Sequence, residues 1–138
     1  MQPVTVNNDS ILNDESFNNC FHYFVQAIKV LALDAPEQCE LMGNVNVAWE
    51  IQHDAMDLGA ALVAWPVDYL GPSQKEAIKQ MLVSLQAIPQ DVLSADDNLV
   101  AMRNPAWIPL RAEAAKLLVD LRNLIEKTRE FFANQKQQ

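Results

Sequence analysis

A chain of 138 residues is long enough to bury a core and fold as one domain without disulfides or a structural metal. Half of it is hydrophobic, a fifth is charged and only three residues are glycine, a balance that argues against a disordered chain and against an all-β fold. The formal net charge of −8 argues against nucleic acid and anionic membrane as partners, since both would be repelled.

The opening segment, residues 1–13, is polar and Asn-rich and predicts a flexible arm. It has no basic n-region and no apolar run of signal-peptide length, so the expected compartment is the cytoplasm. No stretch approaches the ~18 apolar residues of a membrane helix. From Asp14 the residues Phe17, Cys20, Phe21, Phe24, Ile28 and Leu31 recur at three and four, which predicts an amphipathic helix. "DAPEQCELMG" follows as a short helix with Asp34 as cap, Pro36 early and Gly43 as terminator.

A second long helix is expected from Asn46 to Trp65, with Ala48, Ile51, Ala55, Leu58, Leu62 and Trp65 on its stripe. Trp49, Met56, Ala60 and Val63 add a neighbouring apolar row, so this should be the most enclosed helix. Gly59, Ala60 and Ala61 are small enough to admit a close neighbour. "GPSQKEAIKQMLVSLQAIP" then predicts a third long helix, with Ser73 and Glu76 as a capping box and Pro89 as its stop. A short helix is expected from Ser94 to about Arg103, capped by the Ser94 hydroxyl. The last helix is expected as one piece, Pro105 to Ala133, on a seam of Leu110, Ala114, Leu117, Leu121, Leu124, Thr128 and Phe131. Residues 135–138 are expected to fray.

These elements predict an all-α fold: a single-domain antiparallel helical bundle over residues 14–134, with four long helices and one or two short ones. Two Asn-x-Ala-Trp stretches, "NVAW" and "NPAW", read as helix starts, with Asn46 and Asn104 as caps and Trp49 and Trp107 at the third helical position.

Charge is unevenly spread. Residues 1–100 carry 14 acids and three bases, whereas residues 101–138 carry four acids and seven bases. Between Lys29 and Lys75 there is no base and there are seven acids, among them Glu50, Asp54 and Asp57. The helical spacing of these three, with His53 among them, gathers them on one polar edge. Arg111, Arg122 and Arg129 share a narrow sector of the last helix, and one reading has them reach across to that edge. The other reading leaves the edge unneutralised, with Trp49 beside it as an aromatic anchor for a partner.

Catalytic apparatus is hard to find. There is no G-x-S-x-G, no glycine-rich phosphate loop and no serine or cysteine nucleophile with a histidine and an acid at a family-like spacing. Cys20 and Cys39 match neither a C-x-x-C pair nor a zinc pattern, and Cys20 lies among phenylalanines as a small apolar residue would. Glu50 and His53 make a single Glu-x-x-His, the motif that di-iron bundles use twice. A mononuclear site with His22 as third ligand is the metal-binding alternative. No cofactor is expected.

The leading functional expectation is a non-catalytic protein that binds a basic protein partner through Trp49, Glu50, Asp54 and Asp57. Small size, acidity and lack of catalytic apparatus are properties shared with inhibitors that neutralise nucleic-acid-cleaving toxins. The remaining alternative is a structural domain that self-associates as a homodimer through the seam of the C-terminal helix.

Overall fold

The computed structural model describes residues 14–135. The expected N-terminal arm, residues 1–13, and most of the expected frayed tail, residues 136–138, lie outside them. Among the described residues there are eight helices and no strand. They are α1 (Glu15–Ala32), α2 (Ala35–Met42), α3 (Val47–Val63), α4 (Pro72–Gln86), α5 (Gln90–Leu93), α6 (Asn98–Met102), α7 (Trp107–Asp120) and α8 (Arg122–Gln135). The all-α expectation is met, and Gln135, assigned to the tail, is helical.

Local chemistry sets most of the helix ends. Asp14, Asp34 and Asn46 each accept the amide of the residue three further on, at 2.9, 2.9 and 3.1 Å, and so satisfy a helix-start donor. Gly43 ends α2 at φ +74°, where a Cβ would be strained.

Other ends differ from expectation. Pro72 is the first residue of α4, so Gly71 is its cap and Gln74 Oε1 accepts the Gly71 amide at 2.8 Å. Ser73 therefore sits inside the first turn and the expected Ser73/Glu76 box does not form. Ser94 closes α5 by donating its hydroxyl to the Gln90 carbonyl, and Asp97 is the residue that caps α6. Asn104 accepts the Ala106 amide only two residues on, an Asx turn, so α7 begins at Trp107 itself. The expected single terminal helix divides at Leu121, where φ −94° and ψ 3° leave the helical region. Hydrogen bonds from Leu121 to Leu117 and from Ile125 to Leu121 carry the chain across the break as a bend.

The longer helices pack in a ring. Against α1, α3 runs antiparallel: the Cys20 thiol faces the Leu58 carbonyl, and Trp65, just beyond α3, stands edge-on to Phe17 at 5.5 Å. Against α3, α4 is antiparallel, with Gln52 Nε2 donating to the Leu85 carbonyl at 2.9 Å. At Gly59 a Cβ would meet Leu82 at 2.9 Å and Phe24 at 3.0 Å, so this glycine sets how closely α4 and α1 approach α3. Ala60 and Ala61 are exposed and take no part. Helix α7 packs on both α4 and α1, which puts it at the corner opposite α3. Along the terminal seam Leu110, Ala114, Leu117, Leu121, Leu124, Thr128 and Phe131 are all buried within the one chain. That seam is spent on the chain's own core and offers no apolar surface for a homodimer.

Two buried polar contacts tie the ring together. Thr128 donates its hydroxyl to Asn18 Oδ1 at 2.9 Å, joining α8 to the start of α1. Gln38, fully buried, donates Nε2 to the Val30 and Leu31 carbonyls at the end of α1 and accepts from Arg111 of α7 at 2.9 Å. The same Arg111 nitrogen donates to the carbonyl of Met102, the last residue of α6. Truncating Arg111 leaves an amide oxygen and a carbonyl without their donor. Arg111→Met is expected to lower the free energy of unfolding by about 2 kcal/mol in chemical denaturation; an unchanged midpoint and slope would show that the cluster contributes nothing.

Candidate acidic interface on α3

The interface is built on α3, whose start is fixed by Asn46. Besides capping the helix, Asn46 Nδ2 donates to the Leu93 carbonyl at 2.8 Å, and Asn98 Oδ1 accepts the Val47 amide at 3.0 Å. The first turn of α3 is thereby held against α5 and α6. Trp49 falls at the third helical position, as expected, and is 42% exposed. Trp107, its counterpart in the second Asn-x-Ala-Trp stretch, is fully buried, with its indole nitrogen lacking a hydrogen-bond partner. The two stretches share letters and not a role: one tryptophan fills the core and the other faces solvent.

Three rows run along the outer face of α3. Trp49 and His53, one turn apart, stack with ring centroids 3.7 Å apart and planes 21° from parallel, and His53 Nδ1 lies 3.0 Å from the Trp49 carbonyl. Beside them are Glu50, half-buried, and Asp54 and Asp57, both exposed. Beyond the acids a groove of about 510 Å³ opens between α3 and α1, with Ala27, Val30, Ile51 and Leu58 as its apolar lining and Asp54 and Asp57 on its rim. Tyr23, 62% exposed, borders the opposite side. Leu41 and Val45, on α2 and the following turn, add exposed apolar surface near the cap of α3.

Among the described residues the acids have no cation paired with them. Among the described residues no salt bridge engages Glu50, Asp54 or Asp57. Asp68 pairs with Lys75 at 2.6 Å and Glu126 with Arg129 at 2.6 Å. The reading that sends Arg111, Arg122 and Arg129 to the acidic edge is therefore corrected. Arg111 turns inward to Gln38 and Met102, Arg129 is held by Glu126, and Arg122 is exposed. The cause is topological: Arg111 lies on α7, at the corner opposite α3, and Arg122 and Arg129 lie on α8, which packs on α1 and α7.

The metal-binding alternative loses its geometry. His22 packs edge-on against Tyr23 and Phe132, both at 5.4 Å, on the α8 side of α1, while His53 lies on Trp49. Among the described residues no group of three or more His, Cys, Asp or Glu is placed to hold a metal ion, so Glu50, His53 and His22 do not form a ligand set.

Sequence reasoning missed Tyr23, Val30 and Met42, which complete the groove. On the sequence Tyr23 carries no signal, because it falls off the buried stripe of α1 and acquires its place only when α3 packs alongside. No helix among the described residues is long and apolar enough to cross a membrane. Comparison of the chain with protein-family models, with curated proteins and with solved structures found no match.

Both cysteines are free thiols. Burial pushes the Cys20 thiol above its ordinary range. It does the same for Cys39, where Asp97 adds to the rise and Arg103 and Arg111 oppose it. A raised pKa means less thiolate at neutral pH, and thiolate is the reactive species. Iodoacetamide is expected to alkylate both thiols more slowly in the folded chain than after denaturation, with rates rising as pH passes the ordinary thiol range. Fast alkylation of either folded thiol at neutral pH, followed by mass spectrometry, would contradict this.

Proposed function

We propose that this chain is a non-catalytic binding protein whose α3 face holds a basic protein partner. The observation that carries the reading is the row Glu50, Asp54 and Asp57, which has no intramolecular salt bridge among the described residues and lies between an exposed aromatic stack and an apolar groove. Each part has a physical use. Unneutralised carboxylates speed encounter with a cationic surface and select against acidic ones. An exposed tryptophan and a groove lined by Val30, Ile51 and Leu58 supply the desolvated contact that charge alone does not. Tyr23 and Trp49 also present ring faces to which lysine or arginine is attracted.

The partner chemistry that fits is a protein surface rich in lysine and arginine with apolar side chains between them. Enzymes that cleave nucleic acid concentrate cations in this way around their active sites, and a small acidic inhibitor of such an enzyme would need a face of this kind. Neutralising a toxin is the biological role most consistent with that chemistry.

The test is recovery of the partner from native extract followed by binding kinetics. The expected partner is basic, and its association slows as salt rises over the range in which exposed charges are screened. Asp54→Lys combined with Asp57→Lys, both at exposed positions, should slow association by about ten-fold or more without changing the melting temperature. Trp49→Ala should speed dissociation, at a cost of about 2 kcal/mol in affinity. A partner whose binding ignores both salt and the double charge reversal would sink the proposal.

A further inference from the structure

We propose that a second groove, between α1 and α8, binds an amphiphilic carboxylate, a fatty acid of medium chain length. This groove is separate from the acidic one. The two lie on adjacent flanks of α1, and Gln26 borders both.

Shape points to a chain-like ligand. The groove encloses about 530 Å³, inside the roughly 300–1,000 Å³ typical of small-molecule sites. Phe21, Val25 and Lys29 follow one another at four-residue steps along α1 and face Ile125 and Phe132 of α8. Eight residues of helix span about 12 Å, about the reach of a medium-length alkyl chain. Phe21 and Val25 are buried and form its floor together with Thr128, whose hydroxyl is already donated to Asn18. The floor thus favours an apolar tail.

Charge points to a single anion. In a chain of 18 acids and 10 bases, this groove is lined by Lys29, Arg129 and His22 and by no carboxylate. Arg129 is occupied by Glu126 at 2.6 Å. Lys29, in the last turn of α1, takes part in no ion pair among the described residues. One cation with no ion pair among the described residues, on the rim of an apolar groove, is complementary to a molecule with one carboxylate and one alkyl chain. A phosphate alone would leave the floor uncovered, and a neutral hydrocarbon would leave Lys29 unused.

Isothermal titration of decanoate into the full chain, below the concentration at which decanoate forms micelles, tests this. Saturable binding at one site per chain is expected, with affinity rising from octanoate to decanoate by up to about four-fold per methylene. Lys29→Glu changes an exposed side chain. It should weaken decanoate about ten-fold, leave the circular dichroism spectrum unchanged, lower the melting temperature only slightly through the loss of a cation at the end of α1, and spare Asp54-dependent partner binding. 1-Octanol, with a tail as long as that of octanoate and no charge, should bind more weakly than octanoate and be indifferent to Lys29→Glu. No saturable heat, an affinity indifferent to Lys29→Glu, or many-site adsorption indifferent to chain length would overturn the proposal. So would a concentration-dependent dimer, dissolved by Lys29→Glu, that occupies the groove in place of decanoate.

Discussion

Arg111 is the side chain on which the rest of the arrangement depends. It bridges the buried amide of Gln38 and the end of α6, while Gln38 in turn satisfies two carbonyls at the end of α1. Those carbonyls belong to a helix terminus, where the helix supplies no partner of its own; the Val30 carbonyl also accepts the Leu33 amide at 3.1 Å. A guanidinium suits the junction because one of its terminal nitrogens carries two hydrogens and serves both acceptors, and a cation is favoured at the C-terminal end of a helix. Desolvation lowers the Arg111 pKa while the Asp34 carboxylate opposes that shift, and the ordinary value is high enough that the side chain stays charged. Four helices, α1, α2, α6 and α7, thus share one polar knot at the edge of an otherwise apolar core.

The same commitment shapes the surface. An arginine held inside the fold is unavailable to the acidic row on α3, and Arg122 and Arg129 lie on α8, which packs on α1 and α7. Internal packing and external charge are therefore one problem. The bases concentrated after residue 100 serve the junction, the α8 surface and the second groove, and Glu50, Asp54 and Asp57 have no salt bridge among the described residues. Exposed ion pairs contribute only about 0–1 kcal/mol each, so leaving these acids unpaired costs the fold little. For the proposed partner it keeps the field intact.

Much of the fold was legible because helical periodicity reports burial directly. The α1 stripe from Phe17 to Leu31 and all seven residues of the terminal seam are buried apart from Cys20, which is half-buried. Caps with a single competent side chain, such as Asp34 and Asn46, were legible too. Where two residues competed the reading failed: Ser73 lost to Gly71 because Pro72 fixed the first turn, and Asn104 closed a turn on its nearer amide. The break at Leu121 left no trace, since the seam keeps its spacing through the bend. At the candidate site, the acids and Trp49 followed from spacing within one helix. The groove did not, because Tyr23, Val30 and Leu58 meet only through the pairing of α1 with α3, and the direction taken by Arg111 required the whole ring.

If α3 holds the basic partner, binding is confined to the acidic side of the ring. Amide hydrogen exchange, with and without a lysine-rich amphipathic peptide as a stand-in for that partner, tests it most directly. Slowing is expected within α2, the turn that follows and α3, together with the Tyr23 side of α1, while α7 and α8 exchange as before. Protection that appears instead on α7 and α8, or that is spread evenly over the chain, would contradict it.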